Sequence, residues 1–345
     1  MKKLNEWIRN DKHKQVTDKM IIDVIGGGSL GLLYGGKLAA SGADVRIWCR
    51  SAKQAGEIKS KGIIIRNTFG AMEAQAKPGT FKVGILDEFA EAWRQNPGQW
   101  IFLMTKQKDV ENACLMSVGR LAMDKLVPGS IPGMVCFQNG YGHMERLEKM
   151  LPGWPLYAAV TTEGAKRVAQ NEVAHAGAGT TWFGIGRPSG GTEDPRPEKL
   201  EKMLQLAGFS AVLSNDIDSR IYRKLLINSV INPLTALWNI RNGELLASEQ
   251  RMRVMRTLLN EALAVYDACG IPWEEDIWDQ ILEVCHSTAG NISSMLNDVQ
   301  SGIPTEVDWI NGSIVDLAEK SGIRAAAHEL ITGLIKGLTI TIREE

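Results

Sequence analysis

The sequence lacks the features of a secreted, membrane-bound or nucleic-acid-binding protein. No apolar run approaches the roughly 18 residues that a membrane-spanning helix needs. Residues 1–19 are polar and include acidic residues, unlike a secretory signal or a transit peptide. The 39 Lys and Arg residues nearly balance the 40 Asp and Glu residues, so a net charge of −1 offers no positive field to a nucleic acid. We therefore expect neither a membrane nor a nucleic acid as a partner.

Cysteine is scarce and unpatterned. The five cysteines are spread widely, are odd in number and never occur as C-x-x-C. This spacing indicates neither a disulfide framework nor a zinc site. We expect no bound metal and a reducing, cytoplasmic setting.

The order of the predicted elements divides the chain into two domains, which also suits a length of 345 residues. Short apolar runs alternate with helical segments as far as residue 214, and only helical periodicity follows. We predict an extension over residues 1–19 and an α/β, Rossmann-type dinucleotide-binding domain over residues 20–214. An all-α C-terminal domain is predicted over residues 215–345.

A glycine-rich turn joins the first predicted strand, Met20–Ile25, to the first predicted helix, Ser29–Ser41. It fits G-x-G-x-x-G, and a second strand follows within about 30 residues, which is the context of a dinucleotide-binding turn. The three glycines would allow a tight turn, approach of the backbone to a pyrophosphate, and close packing of helix on strand. The alternative is a turn without a ligand. The candidate cofactor-binding residues here are Gly26, Gly27, Gly28, Ser29, Leu30 and Gly31.

The residue after the second predicted strand, Asp44–Cys49, indicates which cofactor binds. NAD enzymes usually place an acidic residue there for the ribose 2′-hydroxyl, whereas this chain has Arg50. A guanidinium can form paired, charge-assisted hydrogen bonds to a 2′-phosphate. The sequence therefore favours NADP(H) over NAD(H), the alternative being a surface arginine with no phosphate partner.

A polar stripe runs along a predicted apolar helix in the C-terminal half. Lys224, Asn228 and Asn232 are spaced i, i+4, i+8 and therefore share one helix face. Buried polar groups need partners, which are either a structural network or a substrate. Pro233 follows directly and is expected to break or kink the helix, freeing backbone carbonyls.

Further polar residues crowd the segment 291–312. They are Ser293, Ser294, Asp298, Glu306, Asp308 and Asn311. A purely structural interpretation is that Glu306 places a negative charge at a helix start, where it complements the helix dipole.

Lys106 and Asn139 directly follow two predicted strand regions. Ligands of open α/β sheets bind outside the carboxyl ends of the strands, so position favours a functional role for both residues. A solvated lysine at a loop end is the alternative for Lys106.

These motifs together resemble those of the ketopantoate reductase (2-dehydropantoate 2-reductase) family from about residue 20 to the end. The resemblance is carried by GGGSLG, TKQ around Lys106, QNGYG around Asn139, HAGAGTTWFG, RKLLINSVINPLTAL around Lys224, and SSMLNDVQSGIPTEVDWINGSI around Glu306. The family reduces 2-dehydropantoate to pantoate with NADPH, on the route to pantothenate and coenzyme A.

The resemblance also implies a role for each candidate residue. Lys224 would be the general acid, Glu306 would hold the substrate hydroxyl, and Arg50 would bind the 2′-phosphate. Lys106 and Asn139 would line the nicotinamide end of the cleft. The implied substrate-binding residues are Asn228, Asn232, Ser294, Glu306, Asn139 and Lys106.

Two other functions stay open on the sequence alone. One is an NADP-linked dehydrogenase of the same fold that acts on another small oxo or hydroxy acid. The other is a non-catalytic dinucleotide-sensing protein, against which the presence of both Lys224 and Glu306 argues. The long amphipathic helices would also offer a face for a homodimer.

Overall fold

The computed structural model describes residues 20–124, 130–185 and 196–338, so the predicted extension over residues 1–19 lies outside the described residues. Contacts divide the chain into two compact units. The sheet unit contains the residues before Lys106, Asp109–Phe137 and Leu147–Ser214. The helical unit contains Lys106–Lys108, Gln138–Arg146 and the chain from Asn215 onward.

Most strands of the sheet unit form one eight-stranded sheet, of order β12-β11-β8-β7-β6-β1-β2-β5. Its neighbours are parallel except for the antiparallel pair β8 and β11. The remaining strands form a second sheet of order β4-β3-β10-β9. The strands are β1 (Ile21–Ile25), β2 (Asp44–Cys49), β3 (Ile63–Arg66), β4 (Met72–Ala76), β5 (Lys82–Ile85), β6 (Trp100–Leu103), β7 (Gly133–Cys136), β8 (Leu156–Thr161), β9 (Gly164–Ala169), β10 (Glu172–Gly177), β11 (Thr180–Gly184) and β12 (Ser210–Leu213).

The central strands are apolar except for Asp23 of β1, which is buried and forms an ion pair with Arg46 of β2. Every residue of β1, β6 and β7 is buried, as expected for parallel strands covered on both faces. The helices before residue 215 are α1 (Ser29–Ala40), α2 (Ala52–Lys61), α3 (Phe89–Gln95), α4 (Val110–Met116), α5 (Val118–Ala122), α6 (His143–Met150) and α7 (Arg196–Leu206), with 3₁₀ turns at Leu86–Glu88 and Gln107–Asp109.

The described part of the helical unit after residue 214 contains no strand. Its helices are α8 (Ile217–Trp238), α9 (Glu249–Cys269), α10 (Ile277–Ser287), α11 (Ser294–Gln300), α12 (Val307–Lys320) and α13 (Ala326–Leu338), with a 3₁₀ helix at Asn242–Ala247. Their apolar faces form one core. The predicted fold class, an N-terminal Rossmann-type α/β region followed by an all-α region, is confirmed.

Of the effects expected of Pro233, the break does not occur, because α8 continues from Ile217 to Trp238. Proline cannot donate to the carbonyl four residues earlier, which is that of Ser229. The Asn311 side chain donates to this carbonyl at 2.8 Å instead. Asn311 is fully buried and its amide also contacts His328 Nδ1 at 3.1 Å. A side chain on another helix thus replaces the missing backbone donor.

Two further elements are not evident from the sequence. The helical residues after β6 form two helices, α4 and α5, separated at Ser117, whose hydroxyl donates to the Ala113 carbonyl at 2.5 Å. Such back-bonding bends helices. Strand β9 is not predicted because most of its residues are exposed and show no apolar alternation. It forms by antiparallel pairing with β10.

No described helix is both long enough and apolar enough to cross a membrane.

Candidate active site

The glycine-rich turn has the geometry of a phosphate cradle. Gly26 has φ of 115°, and its N–H donates to the Trp48 carbonyl at 3.0 Å. A Cβ on Gly31 would collide with the Gly26 carbonyl oxygen, so helix and turn approach too closely for any side chain there. Gly28 is the N-cap of α1 and supplies no capping side chain, and a Cβ there would be 4.0 Å from the Met104 carbonyl oxygen, an ordinary contact. The cradle therefore fits a pyrophosphate on the free N–H groups of a helix start.

Two side chains that the sequence analysis did not single out flank this turn. Gln54 donates to the Gly27 carbonyl at 2.7 Å, and an Arg167 guanidinium nitrogen lies 3.5 Å from the same oxygen. The Arg167 backbone N–H donates to the Ser29 hydroxyl at 3.0 Å. Leu30 points its side chain toward the core of the unit. The turn is thus held from both sides.

Arg50 lies at the carboxyl end of β2, directly after Cys49, and is exposed. The next residue, Ser51, is the N-cap of α2, and its hydroxyl accepts the Gln54 N–H at 3.4 Å. The guanidinium is therefore carried by a fixed strand end and helix start, where a 2′-phosphate could reach it.

The remaining candidate residues belong to the helical unit. Lys224 and Asn228 are half-buried on α8, and Asn232 is buried one turn further. Ser294 is exposed in the first turn of α11. The turn is anchored by its neighbour Ser293, whose hydroxyl caps α11 and accepts a hydrogen bond of 2.8 Å from Thr235 of α8. The stripe on α8 and the start of α11 are therefore fixed relative to each other.

The carboxylate of Glu306 is buried and lies among donors from two loops. It accepts the backbone N–H of Gln107 on one oxygen and the Asn139 side-chain amide on the other, each at 3.3 Å. Although Glu306 precedes α12, its side chain makes no capping hydrogen bond to that helix. The contacts of Glu306 are therefore with the two loops, and they do not support the alternative that it serves only as a charge at a helix start.

Lys106 forms an ion pair with Asp298 of α11, at 2.5 Å. The carboxylate is 9% exposed and the lysine side chain 36%. Asp298 was noticed in the sequence only as part of a polar cluster, because its partner lies 192 residues away. The pair brings a cation close enough to Glu306 to affect its ionisation.

The two central titratable groups are shifted in opposite directions. Burial raises the pKa of Glu306, and the Gln107 N–H, the Asn139 amide and Lys106 oppose that rise, while Asp298 adds to it. Burial lowers the pKa of Lys224 to about 8, and the Glu306 carboxylate acts in the other direction. Lys224 is therefore still mostly protonated at neutral pH, and it is a stronger acid than an ordinary lysine.

No group of three or more His, Cys, Asp or Glu side chains within residues 20–124, 130–185 and 196–338 is arranged to hold a metal ion.

Comparison with known proteins identifies one family over most of the chain. Residues 22–188 match the family described as Ketopantoate reductase PanE/ApbA, and residues 216–339 match its C-terminal domain. The 2-dehydropantoate 2-reductase of Archaeoglobus fulgidus is 31% identical over 320 residues, which cover 92% of this chain and 97% of that protein.

Solved structures with a similar fold cover most of this chain. The probable 2-dehydropantoate 2-reductase of Bacillus subtilis is 28% identical with a TM-score of 0.73, over 92% of this chain and 100% of that chain. The ternary structure of D-mandelate dehydrogenase with NADH and anilino(oxo)acetate is 24% identical with a TM-score of 0.79. That match covers 93% of this chain and 98% of the other, and it shows a shared fold.

Replacing Lys224 by methionine is expected to stabilise the folded protein at neutral pH. Its folded pKa of about 8 lies below the ordinary lysine value, so folding at lower pH buries a charge that the unfolded chain keeps in water. Between about pH 8 and 10 the unfolded chain still holds the proton and the folded chain does not, so the wild type regains stability as pH rises. We expect Lys224→Met to add on the order of 1–3 kcal/mol to the free energy of unfolding at about pH 7, and less at about pH 10. Urea unfolding measures both values.

Lys202→Met is the matched control, because Lys202 is an exposed lysine on α7. Its substitution should change the free energy of unfolding little at either pH. A gain from Lys224→Met of equal size at both pH values would show that methionine packing, and not the buried charge, is responsible.

Proposed function

The chain belongs to the ketopantoate reductase family, and we propose that it reduces 2-dehydropantoate to pantoate with NADPH, in the biosynthesis of pantothenate and coenzyme A. The observation that carries this proposal is that the helical unit contains both Lys224, an amine with a lowered pKa, and the buried carboxylate of Glu306, which lies close enough to affect that pKa. Reduction of a 2-oxo acid that bears a hydroxyl needs both an acid and a hydroxyl acceptor.

Lys224 is the proposed general acid. When bound, the nicotinamide cofactor would supply the hydride, two electrons with one hydrogen, that reduction of the C2 carbonyl requires. The Lys224 ammonium stabilises the negative charge that develops on the carbonyl oxygen, and this interaction is strongest in the transition state. The lysine then donates a proton from Nζ to that oxygen and recovers one from water. A general acid should be protonated near neutral pH and should also release its proton readily, and a pKa of about 8 meets both conditions.

The other polar residues hold the substrate in the proposed complex. Asn228, Asn232 and Ser294 bind its carboxylate through amide and hydroxyl donors. Glu306 accepts the hydrogen bond of the terminal hydroxyl, which an ionised, acceptor-only carboxylate is suited to do. Lys106 and Asn139 would then orient the nicotinamide end of the cofactor as well as the substrate.

The cofactor is proposed to occupy the glycine-rich turn, with its pyrophosphate on the N–H groups at the start of α1 and its 2′-phosphate on Arg50. The start of α1 without a side-chain cap and the position of Arg50 after β2 support this assignment. A second candidate is an NADH-linked reductase of another 2-oxo acid, which the shared fold with the NADH complex of D-mandelate dehydrogenase brings into consideration.

Arg50→Ala is expected to weaken NADPH binding by about ten- to a hundredfold, because only NADPH carries the 2′-phosphate and a charge-assisted hydrogen bond is worth roughly 1.5–3 kcal/mol. Affinity for NADH should stay nearly constant. Quenching of protein fluorescence by each cofactor measures both dissociation constants. Lys59→Ala, which removes an exposed charge from α2, is the control for net charge. Equal losses for the two cofactors would remove Arg50 from this role.

Lys224→Ala is expected to lower kcat for 2-dehydropantoate by about 10²–10⁴-fold, the usual contribution of a general acid. NADPH affinity should change little, because the lysine interacts with charge that develops only during the reaction. Lys224→Arg keeps a cation that does not give up its proton near neutral pH. It should recover part of the rate and lose the dependence on an acid of pKa about 8. NADPH absorbance measures turnover, and an alanine variant that keeps most of its turnover contradicts the mechanism.

A further inference from the structure

Gln107 and His143 form a buried pair that the proposed chemistry does not use. The two side chains are 2% and 3% exposed. The Gln107 amide nitrogen donates to the Tyr141 carbonyl at 3.0 Å and contacts His143 Nδ1 at 3.1 Å. Both partners lie on the segment Gln138–Arg146, so one amide joins the loop after β6 to the segment after β7.

The hydrogen-bond chemistry fixes the protonation of this pair. A carbonyl oxygen only accepts, so the Gln107 atom that faces Tyr141 must be the amide nitrogen. That nitrogen only donates, so His143 Nδ1 must be an acceptor without a proton. Burial, together with the positive charge of Arg146, lowers the pKa of His143 to about 4. The ring is therefore neutral, with its proton on Nε2.

The joined loops are the ones that hold Glu306. The Gln107 backbone N–H and the Asn139 amide each donate to one carboxylate oxygen. The segment is also fixed on its other side, because the Tyr141 N–H donates to the Trp309 carbonyl at 3.1 Å. A Cβ on Gly140 would collide with the same carbonyl, so the segment cannot easily shift outward.

We propose that Gln107 and His143 are positioning residues for the Glu306 carboxylate, which they act on through the Gln107 backbone N–H and the Asn139 amide. The proposal rests on the function proposed above, in which Glu306 accepts the substrate hydroxyl. Loss of the Gln107–His143 hydrogen bond removes one of the two contacts that join the Gln107 side chain to the segment, so the loops are held less firmly and both donors' contacts with the carboxylate lengthen. The catalytic lysine does not touch this pair in the proposed mechanism, so binding of the substrate suffers more than turnover.

A change in the ionisation of Glu306 separates this role from general loss of structure. The charged groups near Glu306 are Lys106, Asp298 and Lys224, and the group near His143 is Arg146. Because the two loop donors oppose the rise in the pKa of Glu306, their weakening raises that pKa further. Activity that needs ionised Glu306 then declines at a higher pH as the solution is acidified.

The test compares His143→Leu with His143→Asn. Leucine removes the Nδ1 acceptor, whereas the asparagine oxygen lies near the position of Nδ1 and restores it. Since His143 Nε2 has no hydrogen-bond partner among the described residues, asparagine breaks no other bond. We expect His143→Leu to raise KM for 2-dehydropantoate about tenfold, the equivalent of one hydrogen bond. Its kcat and NADPH affinity should change little, its acidic limb should move to higher pH, and His143→Asn should behave like the wild type.

A second experiment makes the same substitutions in the Glu306→Gln variant. There the effect of His143→Leu on KM should largely vanish, because His143 acts through Glu306. Gln107→Met, close in shape and without donors, should repeat the result of His143→Leu. If His143→Asn is as impaired as His143→Leu, or if the effects are additive in Glu306→Gln, the positioning role is wrong.

An infrared pH titration of Glu306 keeps this inference distinct from the proposed function. The carboxyl band of Glu306 is identified as the band missing from Glu306→Gln, in protein without substrate. His143→Leu should shift its titration to higher pH whether or not 2-dehydropantoate is reduced, and an unchanged titration overturns the inference. Failure of the wild type to reduce 2-dehydropantoate while the band still shifts would instead overturn the proposed function.

Discussion

The carboxylate of Glu306 is buried, and three groups of the helical unit replace the water that would otherwise hydrate it. Burying a carboxylate costs several kcal/mol unless hydrogen bonds and opposite charge replace its hydration. A backbone N–H, a side-chain amide and a nearby ammonium supply the replacement, and all three come from segments that follow strands β6 and β7. The need to satisfy one buried group thus explains why these segments belong with the helices.

The same burial gives Lys224 its chemical character. An amine near a carboxylate would ordinarily have a raised pKa, yet here burial outweighs that attraction and the pKa falls to about 8. Lys106 acts on Glu306 as well and also forms an ion pair with Asp298. In the proposed function Lys224, with its lowered pKa, is a proton donor of suitable strength. Burial of the Lys224 amine lowers the stability of the folded protein and makes the lysine a stronger acid. Such shifted pKa values are common at functional sites.

Sequence patterns could predict what is encoded locally. The apolar strands, the glycine-rich turn and the spacing of the α8 stripe each occupy a short stretch, so their physical meaning is visible without a structure. The roles of Asp298, Gln107 and His143 are not, because each depends on partners distant in the chain. That α8 passes Pro233 without a break is not visible in the sequence for the same reason: Asn311, which donates to the Ser229 carbonyl, lies on another helix. Local rules give the elements, whereas long-range hydrogen bonds decide how buried polar groups are satisfied.

The measurement that tests this account most directly is the preference for the substrate hydroxyl. It compares kcat/KM for 2-dehydropantoate and for the analogue that carries hydrogen in place of the hydroxyl, in the wild type and in Glu306→Ala. A site built to bond a hydroxyl can reject such an analogue by roughly 10⁴-fold. We predict a strong preference in the wild type that collapses in the variant, because activity on the true substrate falls much more than activity on the analogue. An equal preference in both proteins would contradict the assignment of Glu306 as the hydroxyl acceptor, and with it the identity of the substrate.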